Sequence, residues 1–124
     1  MEELANRVIA AGWRWTRGTV EMGGAVVAGV YGAGKYVTWA DGDHVSDLEE
    51  PDGAVPDMEN AGNIGHLLAL VREKHGDVFV LPKHALGMDS DGWSVRRMEG
   101  FATRFIGAGE TEVEALVAAL EASA

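Results

Sequence analysis

The chain contains no cysteine, which excludes a disulfide framework and any thiolate nucleophile or ligand, and a reducing, cytosolic setting fits that absence. No apolar run approaches the length needed to cross a bilayer. The opening "MEELANRVIAAGW" is acidic and amphipathic, without the basic start and apolar run of a signal peptide, so the expected location is the cytoplasm. Cations are also scarce: 10 Lys and Arg stand against 20 Asp and Glu, a formal net charge of −10. A field of that sign repels phosphate, which argues against direct contact with DNA, RNA or an anionic membrane surface. It suits a soluble protein, or one whose partner is basic.

What is present is enough for one folded domain over residues 1–124. A chain of this length buries roughly two thirds of the surface its unfolded form exposes. A hydrophobic content of 47% separates it from disordered sequences. Leu4, Val8 and Ala11 recur at helical spacing over residues 2–11, with Glu2 and Glu3 at the positive end of the dipole and Gly12 as a stop. "WRWTRG" follows, with Trp13 and Trp15 on one side of an extended segment. β-Branched and aromatic residues between glycines predict strands near 19–22, 25–31 and 35–40 and a weaker one at 44–46, with Gly23-Gly24 and Asp41-Gly42 as two-residue turns that need positive φ at both positions. "EEPDGAVPDMENAG" is an acidic connector, after which Asn60 or Asn63 can cap a helix carrying Ile64, Leu67, Leu68 and Val71 on one stripe, with Lys74 and His75 at its negative end and Gly76 closing it. "DVFVLPKH", "WSVRRM" and "FATRFIG" predict three further strands, with "MDSDGW" as a turn. Thr111 and Glu114 then form a capping box for a last helix striped by Val113, Leu116, Val117 and Leu120. The fold class is α+β: antiparallel β-meanders packed with three helices, in the order α-βββ-α-βββ-α.

"GVYGAGKYVT" sets Gly29, Gly34 and Lys35 at the spacing of a phosphate-binding loop. Such a loop needs a hydroxyl residue after the lysine and a helix whose amides face the phosphates. Here Tyr36 follows, and "KYVTWA" has the alternation and residue types of a strand. The glycines therefore predict a hairpin turn. "DSDG" at 89–92 begins like a calcium loop but lacks the later ligands, so it too is a turn. His44, His66, His75 and His84 show no pairing at metal-ligand spacing, and Ser46, Ser90, Ser94 and Ser123 lie in no nucleophile context. No metal, cofactor or catalytic set is expected, and the chain is not expected to be an enzyme. Trp13, Trp15, Trp39 and Trp93 fit core positions, although tryptophan also concentrates in binding sites. Arg96, Arg97 and Arg104 on the last two strands could make a small basic patch. If a ligand pocket exists, its expected walls are Lys35, Tyr36, Trp39 and Arg97, aromatic for a base and cationic for phosphates.

"GWRWTRG", "NIGHLLALVREKHGD", "GWSV" and "GETEVEALVAALEAS" together resemble a group of small phage and prophage proteins of unknown function. In these a tryptophan-rich opening precedes an "LLALVRE" helix, and a closing helix resembles the phage ABA-sandwich type, with helices flanking a sheet. Where those proteins often carry cysteine and tryptophan, this chain has His66 and His75. The resemblance implies phage origin and carries over no site residue. With the −10 charge, it sets the expectation of a phage-encoded, non-enzymatic accessory protein that binds a host protein in the bacterial cytoplasm. A basic nucleic-acid-binding protein of a defence system is one such target, engaged through an acidic surface. The alternatives are a nucleotide-signal sponge and a virion or assembly component. An edge strand could also pair across a two-fold axis to make a homodimer.

Overall fold

The computed structural model describes residues 2–87 and 91–123. Its elements are α1 (Glu2–Ala11), β1 (Val26–Tyr31), β2 (Tyr36–Asp41), β3 (His44–Val45), α2 (Ala61–His75), β4 (Val78–Pro82), β5 (Trp93–Glu99), β6 (Ala102–Gly109) and α3 (Glu112–Glu121), with a 3-10 turn at Lys83–Leu86. The strands form two antiparallel three-stranded sheets, β1-β2-β3 and β4-β5-β6, so the α+β order read from periodicity is the order observed. Of the predicted "MDSDGW" turn at 88–93, residues 88–90 lie outside the described residues, and with them Asp89 and Ser90 of "DSDG". The chain divides into two compact units, Met1–His66 and Leu67–Ala124, with the boundary inside α2.

In the first unit β1 and β2 form a hairpin with Tyr31 opposite Tyr36, so the glycine-lysine segment is a turn between strands. Gly32, Ala33 and Gly34 all have positive φ there, and Ala33 at 57° is the one non-glycine in that region among the described residues. The Asp41-Gly42 turn sits one residue later than expected: Asp41 pairs with His44, and the loop is Gly42-Asp43. Only Gly42 of those two has positive φ, as only Gly24 does in Gly23-Gly24.

Residues 19–22 make isolated bridges, Val20 with Val26 and Glu21 with Pro56, in place of the predicted strand. One reason is a buried amide. Asn63 accepts from the Val20 N–H at 2.9 Å and donates to the carbonyls of Val20 at 2.6 Å and Asp57 at 3.0 Å. The Asn63 side chain thus takes the Val20 N–H that a neighbouring strand would use and shares the Val20 carbonyl with the Asp57 N–H, and Asn63 is wholly buried. Helix capping falls to Asn60, whose side chain accepts from the Asn63 N–H at 3.0 Å. Leu4, Val8, Val27, Val37 and Met58 are buried with Trp13, Trp15 and Trp39.

In the second unit α3 packs on β6 and β5. A Cβ on Gly107 would sit 2.7 Å from the Ala119 nitrogen, and one on Gly109 would sit 2.5 Å from Glu114 Cβ. The two glycines let the helix backbone approach the strand closer than any side chain permits. Thr111 caps α3 by accepting from the Glu114 N–H at 3.1 Å, as its spacing predicts. The Glu114 carboxylate accepts from the N–H of Glu110, one residue ahead of the cap. The last carbonyls of α3 are served from α2: Lys74 donates to Leu120 at 2.7 Å, and His75 Nε2 donates to Ala119 at 2.8 Å.

Candidate functional site

Of the four expected ligand residues, three belong to the first unit and Arg97 to the second. Lys35 is exposed, with Nζ 5.4 Å from the centre of the Tyr36 ring. Tyr36 opens β2 on the half-buried face that it shares with Thr38 and Ala40, whereas Trp39 lies with Val37 on the buried face. Lys35 and Tyr36 therefore stand together, and Trp39 points the other way. Arg97 donates to the His75 carbonyl at 2.9 Å, at the end of α2, and clamps Glu99 in a close ion pair. Its hydrogen bond, its charge and the charge of Arg104 hold the Glu99 carboxyl below the usual carboxylate range, with partial desolvation opposing.

Trp39 nevertheless borders a cavity of about 280 Å³, together with Glu21, Asp41, His44, Ser46 and Glu49. Local hydrogen bonds build it. Ser46 Oγ accepts from the Trp39 N–H at 2.9 Å and the Ser46 N–H donates to the Trp39 carbonyl at 2.8 Å, tying the chain after β3 to β2. Glu49 and Val37 exchange both backbone bonds, which brings Glu49 alongside the same strand. Glu21 folds against its own turn, accepting from the Ala25 N–H at 3.4 Å. Three carboxylates from separate segments thus surround one indole, an arrangement that attracts a cation and repels phosphate.

The charge around the pocket is one-sided. No Lys or Arg occurs between Lys35 and Arg72, while residues 41–59 hold eight Asp and Glu, seven of them exposed. Of the formal −10, the first unit carries eleven acids against four bases and the second nine against six, hence −7 and −3. Glu21 and Glu49 were not singled out from the sequence and Asp41 was read only as a turn residue, although the base-free stretch was a signal for Asp41 and Glu49. Among the described residues no three His, Asp or Glu side chains converge as a metal site. His66 and His75 are engaged with backbone carbonyls, His66 Nε2 donating to Arg14 at 2.7 Å.

A second cavity, about 490 Å³, is bordered by Trp13, Arg14, Trp15, Thr16, Gly34 and Pro51. Its tryptophans belong to a chain of edge-to-face contacts, Trp13 to Trp15 at 5.9 Å and Trp15 to Trp39 at 5.1 Å, with His66 edge-on to Trp13 at 4.9 Å. Three of the four tryptophans are therefore buried aromatic core, and Trp93 is half-buried on β5. No helix among the described residues is long and apolar enough to cross a membrane. No protein-family model, curated protein or solved structure matches the chain.

Proposed function

We propose that this is a phage-encoded, non-catalytic accessory protein that binds a basic protein of the bacterial host in the cytoplasm, and that its setting is the inhibition of a defence system. The observation that supports this reading is the Trp39 pocket, where Glu21 joins Asp41 and Glu49, two acids of the stretch free of Lys and Arg, around an indole. At about 280 Å³ it lies at the bottom of the range of small-molecule sites, roughly 300–1,000 Å³. That size suits one Lys or Arg side chain presented by a partner. The carboxylates supply charge, the indole supplies an aromatic wall, and the surrounding acids steer a basic groove toward it. Phage origin rests on the resemblance of the tryptophan-rich opening and the two "LLALVRE" and "EALVAALEA" helices. A nucleotide is a poor occupant here, because its phosphates would meet three carboxylates.

The test is calorimetric titration with a blocked Lys/Arg-rich peptide across a salt series. Affinity should fall steadily between low and high salt, and Asp41→Asn with Glu49→Gln should weaken binding about tenfold, or about 1.4 kcal/mol. Binding indifferent to both salt and the double variant would refute the acidic-socket reading.

A further inference from the structure

The outer strands of the two sheets are not protected alike. β3 is two residues long. β1 is covered at Val27, which donates to the Thr19 carbonyl and accepts from the Gly18 N–H, both at 2.9 Å. β4 gives its Val78 carbonyl to Arg72 and ends on Pro82, which has no N–H. Such devices keep an edge from pairing with another chain. β6 lacks them over its first half, where Ala102, Thr103, Arg104 and Phe105 are all exposed on an outer strand. Glu99 and Ala102 close the Gly100-Phe101 turn as a hydrogen-bonded pair, and the ladder alternates from there. Thr103 and Phe105 therefore turn their N–H and C=O groups away from β5, where they meet no partner among the described residues.

The side chains are disposed to match. Arg96 donates to Thr103 Oγ1 at 3.1 Å and lies 5.9 Å from the Phe105 ring centre, which sets Thr103 and Phe105 on one face with Met98, opposite Thr103. Phe101 in the turn is fully exposed, and Met98 and Phe105 are more than half exposed. Together these three present on the order of 400 Å² of apolar surface, the scale of patch that marks an interface.

We infer that β6 is a self-pairing edge: two copies of the chain join antiparallel about a two-fold axis at Thr103, making one continuous sheet. The side chains select that register. An axis at Arg104 would set two guanidiniums opposite each other at the close, non-hydrogen-bonded spacing. One at Phe105 would require Ile106 and Gly107, which are buried. An axis at Thr103 uses exposed residues alone. Threonine meets threonine, Phe105 meets the partner's Phe101, and Arg104 meets the partner's Ala102. Beyond that small alanine, in the same row, stands the partner's Glu99. Arg104 approaches its own Glu99 at 3.7 Å and stays half exposed, so it gains a second carboxylate across the axis. Apolar and charged contacts thus both repeat twice in one register, which is why a second copy fits this edge. The area is below that of a standard interface, so the dimer forms in the micromolar range or above. The inference is separate from the acidic-socket reading, and either can fail without the other.

Sedimentation equilibrium of the full chain, from micromolar to millimolar concentration, should show reversible monomer and dimer. Phe101→Ser, at a side chain that nothing in the chain covers, should weaken the dimer about tenfold or more and leave the circular dichroism spectrum unchanged. Because the chain has no cysteine, single-cysteine variants read the register. Thr103→Cys should oxidise to a symmetric disulfide dimer, since hydrogen-bonded partners across the axis have Cα atoms about 5.5 Å apart. Phe105→Cys, whose copies would each stand opposite Phe101, should not. A dimer indifferent to Phe101→Ser, or cross-linking of the Phe105 variant in preference to the Thr103 variant, overturns the inference. So does a chain that stays monomeric throughout, which would leave the edge to an extended segment of another protein.

Discussion

The two sheets share a connectivity, three antiparallel strands in sequence order, and are held in place by different means. The first is fixed by polar contacts that reach far along the chain. Asn63 serves Val20 from 43 residues away, Ser46 serves Trp39, and Glu49 pairs with Val37. The second is fixed by close backbone approach, its helix seated against Gly107 and Gly109. Their charges are used differently as well. In the second unit cations are spent on carbonyls: Arg72 donates to Val78, Lys74 to Leu120 and Arg97 to His75. In the first, carboxylates collect around a pocket. Each sheet gives one face to packing, the first through Val27, Val37 and Trp39 and the second through its seated helix, but in the first the carboxylates at the margin of that face stay around a pocket. The apolar exposure of the second unit accordingly moves out to its β5–β6 hairpin, where Met98, Phe105 and the fully exposed Phe101 stand around the tip.

The contrast is broken most directly at Asn63. Asn63→Asp leaves a carboxylate facing the carbonyls of Val20 and Asp57, to which it cannot donate. A loss of about 4 kcal/mol is expected, the scale of an uncompensated buried charge. Hydrogen exchange should accelerate more in β1 and β2 than in β5 and β6; uniform acceleration would mean that the amide is not a local clamp. Next in size is Gly107→Ala, whose new Cβ meets the backbone of Ala118 and Ala119. Overpacking there should cost about 2–3 kcal/mol in denaturant unfolding, and a neutral result would show that α3 can slide on its sheet. The smallest effect has the opposite sign. Gly65 lies in α2 with open space where a Cβ would stand, so Gly65→Ala should stabilise by about 0.8 kcal/mol, and destabilisation would reveal a packing role that this glycine lacks in the structure.

The sequence exposed the element order because each helix and strand carries its own period, and because Thr111, Gly76 and the glycine turns act within a few residues of the ends they define. The strand expected at 19–22 is reduced to isolated bridges, and periodicity does not contain one contributor to that: the Val20 N–H is taken by a side chain 43 positions later. The site was half legible for the same kind of reason. Trp39 was recognisable as a candidate wall, but Glu21 and Glu49 reach it from other segments and set a sign opposite to the cationic wall that Lys35 and Arg97 suggested. Arg97 has the composition of an anion ligand, and its neighbours His75 and Glu99 employ it otherwise.

The junction between α2 and the end of α3 has a practical consequence. The carbonyls of Ala119 and Leu120 already receive His75 and Lys74, and these are among the acceptors that a further helical turn would have to use. A rigid helical fusion grafted behind Ser123 would have to compete with both side chains for its first bonds. Reporters or tethers appended at that terminus should therefore swivel, and distance measurements made from them should be interpreted with a flexible joint at the point of attachment.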